Sequence, residues 1–99
     1  MSSLSSTALS GLNAASLRLQ SSAHNIANAQ TPGFRRQLVQ QAAEPAGGVR
    51  ADVAQAAVPG EALAQDIVEQ MAASGVYRAN VQTLRTEREL SGRLLDVLA

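Results

Sequence analysis

Asn25-Ile26-Ala27-Asn28-Ala29-Gln30-Thr31-Pro32-Gly33-Phe34 is the stretch that decides how this chain folds. It reads as the end of a helix and the way out of it. Pro32 has no N–H to continue a helix, and it pushes Thr31 out of the α region. Thr31-Pro32-Gly33-Phe34 suits a type II turn, with Pro second and Gly third. Gly33 takes positive φ there without strain. Asn28 falls in the last helical turn, where a side-chain amide can satisfy carbonyls left without partners. On physics alone this is a helix stop of the kind any two-helix hairpin has.

Upstream, residues from about Ser3 to Gln30 read as one helix. Ala8, Leu12, Ala15, Leu19, Ser22, Ile26 and Ala29 alternate four and three apart, the spacing of a coiled-coil seam. Small members alternate with large ones, so a partner helix can come close while Leu12, Leu19 and Ile26 fill the gaps. About 27 residues would make a helix roughly 40 Å long. Gly11 and Asn13 weaken its propensity. Ser2 to Ser6 reads as a flexible terminus holding the helix N-cap.

Downstream, the character changes. Phe34-Arg35-Arg36-Gln37-Leu38-Val39 reads as an extended strand, Glu44-Pro45-Ala46-Gly47-Gly48 as a turn, and Val49-Arg50-Ala51-Asp52-Val53 as a half-buried strand. Together they predict a small hairpin, or a loop with hairpin tendency, and two strands alone are marginal in water. From Pro59-Gly60-Glu61 to Leu98 a second helix follows. Leu63, Ile67, Met71, Tyr77, Val81, Leu84, Leu94, Leu95 and Leu98 supply its apolar face, and Ser74-Gly75 is the place for a kink. Glu61, Asp66 and Glu69 come early and Arg85, Arg88 and Arg93 late, an order that suits the helix dipole.

The predicted fold is therefore mainly α: two long terminal helices able to form coiled coils, joined by a short β-hairpin or loop. Its segments are 1–33, 34–60 and 61–99. The helices are expected to pair antiparallel within one chain or to cross between chains.

Composition narrows the function. The chain has 99 residues, 45% hydrophobic but only 2% aromatic, so its apolar content is mostly Ala, Leu and Val. Ala covers little area at roughly 25 cal/mol per Å², which predicts a lean core and a need for partners. Eight Arg balance eight acids, with no Lys. A neutral chain with one Tyr, one Phe and no Trp lacks both the basic footprint and the stacking platforms of a nucleic-acid binder. Cys is absent, which removes disulfides and thiolate metal sites. The N-terminus has neither the basic region nor the apolar core of a cleavable secretory signal. No window of about 20 apolar residues is present to span a membrane.

Catalytic chemistry is not legible. His24 is the one histidine, off the apolar seam, and reads as a solvated helix residue. No second nitrogen or sulfur ligand accompanies it for zinc. No Ser lies in a nucleophile elbow, and Gly47-Gly48 lacks the Lys-Ser/Thr of a phosphate loop. The carboxylates lie singly among arginines. An enzyme reading, such as a cell-wall lytic factor using Glu44 or Glu61, would need a cleft this chain is too small to form. We therefore expect no enzyme, no cofactor, no metal and no small-molecule substrate.

Residues 8–34 closely resemble the N-terminal motif of the bacterial flagellar rod and hook proteins. The hallmark there is a helix ending in Asn-Ile/Leu-Ala-Asn, followed by Thr-Pro-Gly-Phe/Tyr. Here it stands at Asn25, Ile26, Ala27, Asn28, Ala29, Thr31, Pro32, Gly33 and Phe34, the expected assembly motif. Asp66-Ile67-Val68-Glu69-Gln70-Met71 and Tyr77-Arg78-Ala79-Asn80 resemble the same family's C-terminal helix, which ends rich in Leu. The middle is far shorter than the β domains of hook and distal-rod proteins, so the likeness is to the small proximal-rod proteins.

That resemblance implies a structural subunit of the flagellar basal body rod. Terminal helices of many subunits would pack into a hollow axial drive shaft crossing the periplasm. Ala8, Leu12, Ala15, Leu19, Ile26, Ile67, Met71, Tyr77, Val81, Leu84, Leu94, Leu95 and Leu98 would do the packing. Partners would be other rod subunits, copies of the chain itself, the flagellar type III export apparatus, which needs no cleaved signal, and basal body ring proteins. The competing reading is a soluble helical adaptor or export chaperone of the flagellar system.

Overall fold

The computed structural model describes residues 3–98. Its elements are α1 (Ser3–Ala27), β1 (Gln37–Ala43), β2 (Val49–Gln55) and α2 (Leu63–Leu98). Two long helices are joined by a short antiparallel β-hairpin, and the chain is mainly helical. The N-cap expected among Ser2 to Ser6 lies partly outside the described residues.

The helices run antiparallel within one chain. Going up α1, Ser5 meets Glu87, Gly11 faces Asn80, Arg18 binds Glu69 and Asn25 reaches Asp66. Each step toward the end of α1 is a step toward the start of α2. The contacting positions of α2 (Asp66, Asn80, Glu87), with buried Ala73, fall seven apart, so one stripe of the helix faces its partner. On α1, Ala8, Ala15 and Ser22 lie on the same face as Gly11, Arg18 and Asn25. Among the described residues, the buried apolar ones are Ala8, Ala14, Ala15 and Ala73, and the buried polar ones are Ser21, Ser22, Asn25 and Asp66.

The second helix thus turns its small and polar stripe inward. Small side chains let the two backbones approach, and the bulkier residues are left at the margins and outside. Leu63, Ile67, Val68 and Met71 are all exposed. The helix runs unbroken through Ser74-Gly75.

The hairpin lies along α1. Its strands pair from Gln37 opposite Gln55 to Ala43 opposite Val49. The tip closes with the Glu44 N–H donating to Gly48 O and the Gly47 N–H donating to Glu44 O, both at 3.0 Å. One end is fixed at Asn25 and the other at Ser10, whose Oγ accepts the Val49 N–H at 3.0 Å. Seven strand residues span roughly 23 Å, and the fifteen helical steps from Ser10 to Asn25 span about the same.

Three boundaries differ from the sequence reading. The first helix ends at Ala27, because its last turn tightens: the Ala29 N–H bonds to Ile26 O and the Thr31 N–H to Asn28 O. The first strand starts at Gln37, because Phe34 and Arg36 are occupied elsewhere. The second helix starts at Leu63, whose N–H is accepted by Glu61 Oε2 at 2.8 Å. The dipole expectation holds at one end only. Asp66 sits in the first turn of α2, but the last turn contains no basic residue, since Arg93 falls short of it. Asp66 and Glu69 are engaged sideways, by Arg36 and Arg18.

Candidate assembly elbow

The residues of the decisive stretch build an elbow, and most of their polar atoms are used inside the chain. Asn28 Nδ2 donates to His24 O at 2.9 Å, satisfying a carbonyl at the end of the helix. Thr31 Oγ1 donates to Asn28 Oδ1 at 3.3 Å. The Phe34 N–H bonds to Thr31 O at 3.2 Å, and Gly33 has φ 73°, the geometry of a type II turn. The Phe34 ring meets His24 edge-on, centroids 5.3 Å apart at 61°. His24 is exposed as expected, but it has this aromatic neighbour. Ile26 and Ala29 are half-buried, while Ala27 and Pro32 are exposed.

Asn25 is the pivot. Its Oδ1 accepts the Gln37 N–H at 2.7 Å, and its Nδ2 donates to Gln37 O at 2.9 Å and to Asp66 Oδ1 at 3.3 Å. Asp66, 2% exposed, is also held by Arg36: Nε donates to Oδ2 at 3.0 Å and the terminal guanidinium nitrogen to Oδ1. This charge-assisted fork raises Arg36 above the usual guanidinium pKa, with partial burial opposing it. The elbow, the base of β1 and the first turn of α2 therefore meet at one joint. The hairpin is closed there too, since the Ala56 N–H bonds to Arg36 O at 2.8 Å and the Gly60 N–H to Phe34 O at 3.0 Å. Among the described residues no buried side-chain nitrogen or oxygen lacks a partner.

Of the residues expected to pack helices, Ala8 and Ala15 are buried. Leu12, Leu19, Ile26, Val81 and Leu84 are half-buried. Ile67, Met71, Tyr77, Leu94, Leu95 and Leu98 are exposed in the single chain. Past Glu87 the last eleven residues of α2 run on for roughly 16 Å, most of it beyond the start of α1. There Leu90, Leu94, Leu95, Val97 and Leu98 are between 53% and 82% exposed. Sequence reasoning missed Arg36 and Asp66 as a pair. The available signal was the seven-residue spacing Asp66, Ala73, Asn80, Glu87; nothing local marked Arg36.

Among the described residues no group of three or more His, Cys, Asp or Glu is placed to hold a metal, and no helix is long and apolar enough to cross a membrane. Fold and elbow together define a two-helix hairpin with a small β splint and apolar helix surface left open. Residues 6–35 match the family model described as "Flagella basal body rod protein". This match covers nearly all of α1 and the elbow, and it supports the flagellar rod protein family. That family is structural and non-enzymatic, and the match supports a structural role at the flagellar basal body. No curated protein matches the chain. The resemblance in residues 66–80 lies beyond the matched stretch.

Proposed function

We propose that this chain is a subunit of the flagellar rod that polymerises through its terminal helices into the hollow drive shaft for motility. The observation that carries the reading is the family match over residues 6–35, which ends at the elbow. On this reading Asn25, Ile26, Ala27, Asn28, Ala29, Thr31, Pro32, Gly33 and Phe34 act in assembly by setting the angle between helix and hairpin. Exposed Ile67, Met71, Tyr77, Leu94, Leu95 and Leu98 give other subunits an apolar surface to cover. Partners are copies of the chain, other rod subunits and basal body ring proteins. Delivery is by the flagellar type III apparatus, unfolded and without a cleaved signal. The test is to purify basal bodies from a strain carrying an epitope-labelled chain and locate it by cryo-electron microscopy. Density in the axial rod is expected, and a chain absent from basal bodies overturns the reading.

One observation favours a second reading, a soluble helical adaptor or export chaperone. The helices close on each other within one chain, with buried polar groups partnered. On that reading the labelled chain is recovered from the cytoplasm bound to an exported subunit and not from basal bodies.

A further inference from the structure

We infer that Asn25, Arg36 and Asp66 form a latch that keeps the two helices paired within one chain, and that breaking its charge balance frees α2 from α1 without melting either helix. The inference needs no rod: it concerns the conformation of the free chain.

Away from the joint the helix interface is built of small side chains, flanked by half-buried Leu12, Leu19, Val81 and Leu84. Its buried apolar residues are alanines, each contributing one methyl group. Its polar contacts include Ser5 with Glu87 and Arg18 with Glu69, residues that are only partly buried. The joint is different. Asp66 carries its carboxylate at 2% exposure, and Asn25 is 3% exposed. A buried charge is tolerated when paired and hydrogen-bonded, and strongly destabilising once its partner is removed. Without Arg36, the neighbours of Asp66 offer one amide hydrogen, from Asn25 at 3.3 Å. Lifting the first turn of α2 off α1 brings the stranded carboxylate to water. Arg36 lies beside Gln37, whose backbone Asn25 holds, so the hairpin base loosens in the same event.

The charge logic separates a latch from ordinary packing. Replacing one member of a buried ion pair strands the other, whereas replacing both with apolar residues is commonly neutral or better. Arg36→Ala should therefore open the chain, and the double variant Arg36→Met/Asp66→Leu should close it again.

The chain has no cysteine, so paired spin labels can be placed at will. One pair, at Ala23 and Ala72, reports near the latch. Another, at exposed Ser6 and Glu89, reports at the far end. Electron-electron distance measurements on the purified full chain should give narrow distributions at both pairs. In Arg36→Ala both should broaden and lengthen while helical circular dichroism is kept, and the double variant should restore narrow distances. Unchanged distances in Arg36→Ala would overturn the inference. So would broad distances in the unmodified chain, loss of helicity together with the distances, or failure of the double variant to restore them.

Discussion

Asn25 holds Gln37 by both its backbone groups, accepting the N–H at 2.7 Å and donating to the carbonyl at 2.9 Å. One side chain on a helix thereby stands in for a neighbouring strand at the base of the hairpin. Asn25→Ala removes both bonds and leaves partly buried groups unpaired, for an expected loss of about 2–4 kcal/mol. Asn25→Asp should be at least as harmful, because it loses the donor and sets a second carboxylate against buried Asp66. Urea midpoints at unchanged slope give the numbers; a loss below about 0.5 kcal/mol for Asn25→Ala would refute this account.

Gly33 and His24 test the elbow. A Cβ on Gly33 would meet nothing within 4 Å, so strain there is purely that of φ 73°. Gly33→Val should cost about 1–3 kcal/mol, and Gly33→Asn much less, since Asn tolerates that region. His24→Ala loses the edge-on contact with Phe34 and should cost about 0.5–1.5 kcal/mol. The order Val worst, Asn mildest is checked by thermal melts, and rod assembly should follow it.

Gly48 is confined twice. Its φ is 89°, and an added Cβ would sit 2.6 Å from Ser10 Oγ, the group that accepts the Val49 N–H. Gly48→Ala should detach the hairpin tip while leaving the Asn25 end in place. Amide exchange at Val49 should accelerate at least tenfold while the Gln37 amide changes little, and equal acceleration at both would contradict it.

Gly11 offers the opposite sign. Its missing Cβ leaves room for the Asn80 side chain, whose Oδ1 would lie 2.8 Å from one. Gly11→Ala gains up to about 1 kcal/mol of helix propensity but crowds Asn80. The pair Gly11→Ala/Asn80→Ala should therefore be more stable than Gly11→Ala alone. Chemical denaturation of the four chains of the cycle decides it.

Removing residues 90–99 should barely touch the fold, since Leu90, Leu94, Leu95 and Leu98 are mostly exposed. On the rod reading it should abolish swimming while export continues, because those leucines would be buried by neighbouring subunits at about 1.5–3 kcal/mol each when fully covered. A truncated strain that swims normally would remove these residues from any assembly role.

The helices and the turn between Thr31 and Phe34 were legible because Pro, Gly and a four-three spacing are strong local signals. The hairpin is legible in outline, but its residue pattern starts the first strand at Phe34, ahead of the true start at Gln37. Phe34 is drawn to His24, and Arg36 to a carboxylate 30 residues away, which no local pattern reveals. The inner face of α2 was the least readable part. Apolar periodicity selects Ile67 and Met71, yet the helix meets its partner with Asp66, Ala73, Asn80 and Glu87. Where a core is made of alanine and satisfied polar groups, size and hydrophobicity no longer tell inside from outside.

The two hydrogen bonds that close the hairpin base, from Ala56 to Arg36 and from Gly60 to Phe34, bring its two ends side by side. They make the junction a port. Whatever is carried between residues 36 and 56 leaves and rejoins the helix pair at one point, so its length imposes no strain on the helices. A longer cargo could stand on the same two-strand stalk, its tip released from Ser10, while Asn25 and Asp66 kept their places beneath it. The helix pair is in this sense a chassis, and the hairpin is mounted on it at a single point.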